Sequence, residues 1–148
     1  MKIALGADHG GFALKEIVKK HLENKGFEVL DKGCYSAESV DYPIYAKDVA
    51  NSILKKEAEY GILICGTGIG ISIAANRFKG IRAALCSNTT MAKLTREHNN
   101  ANILALGARI IGDVLALEIV DEFLKTEFLG GRHLTRIQAI ELYSSLKE

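Results

Sequence analysis

The stretch YGILICGTGIGISIAANRF, residues 60–78, decides how this chain is read. An apolar run ends in Cys65, glycines follow at alternate positions (Gly66, Gly68, Gly70), and helical spacing then resumes. The run YGILICG (60–66) shows no polar–apolar alternation, which is the pattern of a strand covered on both faces. The stretch is therefore a strand–loop–helix unit, with the helix starting near Ile69.

Outward from it, the alternation continues in both directions. Upstream, KIALGA (2–7) reads as a strand, and 11–26 as a helix with Phe12, Leu14, Ile17, Val18 and Leu22 at helical spacing before Gly26. FEVLDKG (27–33) reads as a strand, SAESVDYP as a loop, and Pro43 opens a second helix. Downstream come a strand at 81–87, a helix at 90–100, a strand at 101–109, a helix at 113–128 and a last helix over 132–148. Strands separated by helices predict a three-layer α/β/α sandwich, Rossmann-like, built on a five-stranded parallel sheet with a C-terminal helix. The expected strand order is 2-1-3-4-5, with the winding reversing between the first and third strands. No repeat or linker interrupts the pattern, so residues 1–148 read as a single domain.

Composition narrows the function classes. The 148 residues carry 19 basic and 18 acidic side chains, a formal net charge of +1, with 48% apolar and 25% charged residues. That balance offers no basic field for nucleic acid and no apolar run long enough for a membrane span. Three cysteines (Cys34, Cys65, Cys86) without CxxC spacing fit neither a disulfide framework nor a zinc site. MKIALGADHGG turns polar at Asp8 and His9 too soon for a signal peptide, so the expected location is cytoplasmic.

In open α/β sheets ligands lie beyond the carboxyl ends of the strands. The residues expected there are Asp8, His9, Gly10 and Gly11, then Cys65 to Gly70, then Ser87 and Asn88, then Arg109. Gly66, Gly68 and Gly70 allow backbone N–H groups to converge on a phosphate or a developing oxyanion, helped by the positive end of the following helix. A plain βα turn is the bland alternative, although alternate glycines exceed what a turn requires. The spacing is neither the GxGxxG dinucleotide fingerprint nor a P-loop. Cys65, at the edge of that loop, is a candidate thiolate base or nucleophile; an inert core cysteine is its alternative. The loop also invites comparison with cysteine phosphatases, but Ile71 stands where their arginine is needed. His98, in the polar cluster TREHNNAN, is a candidate proton shuttle or a solvated helix-end histidine. Arg132 and Arg136 are four apart and share a helix face, as a phosphate grip or as an ordinary solvated pair. Tyr42, held extended by Pro43, can present its hydroxyl at a loop tip.

Taken together, GADHGG, DYP, CGTGIGISIAANR, REHNNANILALGAR and GGRHLTRI resemble ribose-5-phosphate isomerase type B over nearly the whole chain. That family includes the galactose-6-phosphate isomerase subunits. The resemblance implies cofactor-free, metal-free interconversion of ribose 5-phosphate and ribulose 5-phosphate through a cis-enediolate, in the non-oxidative branch of the pentose phosphate pathway. It implies Cys65 as the base between C1 and C2, and His98 as the ring opener with Asp8 near the ring or hydroxyl oxygens. Thr67 and the amides of Gly66 to Gly70 would stabilise the enediolate. His9, Arg132 and Arg136, joined by Arg109, would hold the phosphate, with Tyr42 and Asn99 lining the sugar site. A branch of the family uses a glutamate just after the last glycine; Ile71 occupies that position here, which leaves the base duty with Cys65. The resemblance also implies a homodimer or tetramer whose active site draws on both subunits. Two alternatives stay open: the same chemistry on a six-carbon phosphate (galactose 6-phosphate or allose 6-phosphate), and a non-catalytic phosphate- or nucleotide-binding module.

Overall fold

The computed structural model describes residues 1–145. Residues 146–148, the end of the helix expected over 132–148, lie outside the described residues. The elements follow the expected alternation: β1 (Lys2–Ala7), α1 (Phe12–Asn24), β2 (Glu28–Asp31), α2 (Tyr42–Leu54), β3 (Tyr60–Cys65), α3 (Ile69–Ala75), β4 (Ala83–Leu85), α4 (Thr89–Asn99), β5 (Ile103–Gly107), α5 (Asp113–Lys125) and α6 (Arg132–Ser144). All four strand pairings are parallel.

The strand order is β2-β1-β3-β5-β4, which corrects the expected 2-1-3-4-5 by exchanging the last two strands. Burial explains the exchange. All five residues of β5, ILALG, are buried, whereas the three residues of β4, AAL, are each only partly covered. A strand that is apolar on both faces belongs inside a sheet, and a short, half-covered strand can stand at its edge. The winding still reverses between β1 and β3 as expected.

Successive residues of the central strands feed two separate cores, which is why their sequences show no alternation. Ile3, Leu5, Ile62, Ile64, Leu104 and Leu106 pack with Leu14, Val18, Ile119 and Phe123 from α1 and α5. Leu63, Cys65, Ile103 and Ala105 pack with Ala46, Val49, Ile71 and Ala75 from α2 and α3. Cys65 thus belongs to the α2–α3 side of the sheet.

One charged residue sits inside the first core layer. Lys15 falls on the buried face of α1 with Leu14, Val18 and Leu22, and its side chain is 0% exposed. Its Nζ donates to both oxygens of Asp31, at 2.8 and 2.7 Å, and to Glu16 at 2.8 Å. Asp31 Oδ1 in turn accepts from Gly33 N–H at 2.9 Å, fixing the chain where it leaves β2. Burial pulls the Asp31 carboxyl upward, but the Lys15 ammonium, the Gly33 amide and Lys19 outweigh it and hold the group below its ordinary value of 3.8.

Removing Lys15 leaves that carboxylate buried with its main partner gone. Lys15→Ala is expected to lower stability by about 3 kcal/mol at neutral pH, read by urea denaturation. The carboxyl titrates below its unfolded value, so its stabilisation is present above that value and is lost as pH falls through the folded one. The gap between wild type and variant should therefore narrow below about pH 4. A gap that widened in acid would contradict the pairing.

Candidate active site

Two ladder registers bring three loops together at the carboxyl end of the sheet: Ala7 pairs with Ile64, and Cys65 with Gly107. The first loop follows β1. Asp8 N–H donates to the Ile64 carbonyl at 3.2 Å, and the largely buried Asp8 carboxylate accepts from Gly11 N–H at 3.1 Å. This turn abuts the glycine loop, since a Cβ on Gly10 would lie 3.3 Å from Gly66 N.

His9 is steadied by the long loop after β2. Val40 N–H donates to His9 Nδ1 at 3.1 Å, and the Val40 carbonyl stands 3.2 Å from the same nitrogen. That loop is itself tied to β1, by Ala7 N–H to Gly33 C=O and Cys34 N–H to Ala7 C=O, both at 2.7 Å.

The glycine loop has a different use from a fully open anion cradle. Gly68 N–H points at Cys65 Sγ, 3.1 Å away, so one amide of the loop serves the sulfur itself. Gly68 has φ +79°, and a Cβ there would meet Leu85 Cδ1 at 2.5 Å and the Leu106 carbonyl carbon at 2.8 Å. Only glycine accommodates both the left-handed backbone and that contact. Exposed Thr67 accepts from Ile69 N–H at its Oγ1, 3.1 Å away. Gly70 leaves room for the Tyr42 ring, whose Cζ and hydroxyl lie 2.7 and 3.0 Å from where a Cβ would stand.

The third loop carries Arg109. Its N–H donates to Gly66 C=O at 2.9 Å, and its side chain runs alongside Gly66, with Cδ 3.4 Å and Nε 3.5 Å from a Cβ placed there. Asp8, Tyr42, Cys65, Gly66, Thr67, Gly68, Gly70 and Arg109 thus form one cluster, with His9 next to Asp8 in the first loop.

The remaining candidates lie elsewhere. α4 runs back from the carboxyl end of β4 to the beginning of β5, so His98 and Asn99 in its last turn reach the amino end of the sheet. The length of β5 alone separates the two ends by about 13 Å. The turn there is held by Arg96, which is buried and bonded to neutral acceptors. It donates to Thr126 C=O (3.1 Å), Asn100 Oδ1 (2.9 Å), Ala101 C=O (2.7 Å) and the Tyr60 hydroxyl (2.8 Å). α6 packs on this end. Its Arg132 and Arg136 are exposed, and His133 between them stacks on His98 with ring centroids 4.5 Å apart and planes 16° apart. Burial lowers the His133 pKa below its ordinary value, and the charges of His98, Arg132 and Arg136 push the same way against Glu97. Within one chain, His98, Asn99, Arg132 and Arg136 do not meet Cys65.

Sequence reasoning passed over His133 as a partner of His98. Nothing in the spacing of two histidines on different helices signals a stack. Val40 also escaped it, because only its backbone acts. Lys15 did leave a signal: it stands three residues before Val18, inside the apolar stripe of α1.

Comparison with known proteins adds the family context. A family model described as Ribose/Galactose Isomerase matches residues 3–140. Ribose-5-phosphate isomerase B of Escherichia coli is 53% identical over 94% of this chain and 93% of its own. Among solved structures, a ribose 5-phosphate isomerase from Thermotoga maritima is 62% identical with a TM-score of 0.94, covering 95% of this chain and 97% of that one. Ribose-5-phosphate isomerase B from Mycoplasma genitalium, with bound ribulose-5-phosphate, is 44% identical with a TM-score of 0.93, covering 99% and 97%.

The three thiols should differ in reactivity. Burial raises the Cys34 thiol and pushes Cys86 up to about 11, whereas Cys65 has a backbone N–H aimed at its sulfur. At pH 8, iodoacetamide should label Cys65 first and Cys86 roughly tenfold more slowly or worse, as read by peptide mass spectrometry. Equal labelling of all three in the folded protein would contradict this ordering.

Proposed function

The chain belongs to the ribose/galactose isomerase family, and we propose from that premise that it interconverts ribose 5-phosphate and ribulose 5-phosphate by proton transfer through a cis-enediolate. The observation that carries the reading is Cys65 at the end of β3, with Gly68 N–H on its sulfur and Asp8, Tyr42 and Arg109 against the adjoining glycine loop. A base beside a polarised carbonyl, with backbone and hydroxyl donors for the developing oxyanion, is what aldose–ketose isomerisation requires.

In this reading the Cys65 thiolate takes the C2 proton of the open-chain aldose as the C1 carbonyl becomes an enediolate oxygen. The proton returns at C1, and Thr67 passes a hydrogen between O1 and O2. Amides of Gly66 to Gly70 stabilise the enediolate, although the Gly68 amide already serves the sulfur. Opening the furanose comes first: the C1–O4 bond breaks, O4 gains a proton from His98, and the anomeric hydroxyl loses one toward Asp8. His9, Arg109, Arg132 and Arg136 grip the phosphate, which anchors the substrate while its far end reacts. Tyr42 and Asn99 line the sugar. The whole chain acts as a single domain in a reducing cytoplasm, a location supported by its three free cysteines.

The two clusters lie at opposite ends of one sheet, so we read the site as shared within a homodimer. Cys65, Asp8, His9, Tyr42 and Arg109 come from one protomer, and His98, Asn99, Arg132 and Arg136 from its partner. Exposed apolar side chains such as Ile69, Ile73, Leu134 and Ile140 on α3 and α6 supply surface for such an association.

The assigned reaction is tested with the purified protein in EDTA, offered ribose 5-phosphate and then six-carbon phosphates. Rapid formation of ribulose 5-phosphate is expected; turnover only of six-carbon substrates would reassign the substrate. Cys65→Ala should abolish isomerisation and leave sugar-phosphate binding largely intact, and wild-type turnover in that variant would show that another group is the base. Mixing inactive Cys65→Ala with inactive His98→Ala protein under conditions of subunit exchange should restore roughly a quarter of wild-type activity, from one intact site in each mixed dimer. No recovery from mixed dimers would refute the shared site.

A further inference from the structure

His133 has no part in the reading above, yet it is the buried member of a stacked imidazole pair. Its ring is 4.5 Å from that of His98 and tilted by only 16°, so the two rings lie face to face. The pair is surrounded by charge of mostly one sign. Arg132 and Arg136 flank His133 on α6, and Glu97 on α4 is the one opposing group among those acting on it. The loop before α6 is tied to this corner, with Leu129 N–H donating to the Glu97 carbonyl at 3.1 Å.

Two face-to-face imidazoles cannot both carry a proton without strong repulsion. His133 is in the first turn of α6, at the positive end of that helix, buried, with Arg132 and Arg136 one and three residues away on the same helix. His98 is in the last turn of α4, at the end where a helix tolerates positive charge. A neutral ring offers an electron-rich face to a cationic one stacked on it.

We propose that His133 is a positioning residue for His98: its ring, stacked face to face on the His98 imidazole, clamps that imidazole in a fixed plane from which it reaches the sugar ring oxygen. The inference rests on the reading of His98 as the ring opener. The step balances: His98 gives one proton to O4 as the C1–O4 bond breaks, and the anomeric hydroxyl releases one as C1 becomes an aldehyde. His133 neither gains nor loses a proton.

Ribulose 5-phosphate separates this role from the rest of the chemistry. Its 5-hydroxyl is esterified, so it has no furanose form and needs no ring opening. Exchange of its C1 hydrogen with D2O therefore tests substrate binding and the proton transfer at Cys65 without the ring-opening step. The full-length protein, His133→Ala and His133→Phe are compared for conversion of ribose 5-phosphate and for C1 exchange by proton NMR. The expected result is that His133→Ala slows conversion by about tenfold or more while exchange stays within about twofold of wild type. His133→Phe, which keeps a ring face, should recover to within about threefold of wild type.

Conversion and exchange falling together in His133→Ala would overturn the proposal, because the residue would then act through the fold as a whole. So would an unaffected His133→Ala, or a His133→Phe as slow as it. Should His133→Ala fail to fold, His133→Gln serves as the ringless variant and the same comparison decides. Wild-type protein showing neither conversion nor exchange would instead sink the assigned reaction, a failure distinguishable from that of the clamp.

Discussion

The architecture depends on β3 being hydrogen-bonded on both edges and buried on both faces. Its partners are β1 and β5, and the pairings Ala7 with Ile64 and Cys65 with Gly107 set which loops meet beyond its end. Parallel strands in register bring their carboxyl ends to one side, so the loops carrying Asp8, Cys65 and Arg109 are neighbours. Cys65 faces the α2–α3 core, which places its sulfur under Gly68 N–H and puts Tyr42, from the start of α2, over Gly70.

The same topology keeps His98, Asn99, Arg132 and Arg136 away from Cys65 within one chain. A helix that connects parallel strands must run back across the sheet, so the last turn of α4 ends at the opposite edge from Cys65. α6 packs there too, against His98. His98 at the end of a crossover helix and Cys65 at the end of a central strand are kept apart by the length of the sheet. In the proposed shared site, association of two copies would bring such groups together, with the exposed apolar residues of α3 and α6 as available surface.

Two buried cations steady the two halves. Lys15, paired with Asp31, fixes the chain leaving β2, and that chain reaches Val40, which holds His9. Among the described residues, Arg96 donates only to neutral acceptors: three carbonyls counting the Asn100 amide, and a tyrosine hydroxyl. It pins the turn after α4 and, with it, the helix end that carries His98. Both side chains make dense hydrogen bonding compatible with burial, which an unpartnered cation could not tolerate. Each therefore serves the geometry of a site it does not touch.

Much of this was legible in the order of the residues. Hydrophobic periodicity and the punctuation by Gly26, Pro43 and the 66–70 glycines determined the alternation of strands and helices, because burial on one or two faces writes itself directly into residue spacing. The strand-end positions of Asp8, Cys65 and Arg109 followed from that alternation, and the roles assigned to Cys65, His98 and the arginines came from the family resemblance. The order of β4 and β5 did not follow, since sequence order says nothing about which of two apolar strands will be covered on both edges; their relative burial decided it. Nor did spacing reveal that Gly68 turns its amide onto Cys65, that Val40 holds His9, or that His133 stacks on His98. Those contacts join residues through backbone groups or across separate helices, and such neighbours exist only once the chain has folded.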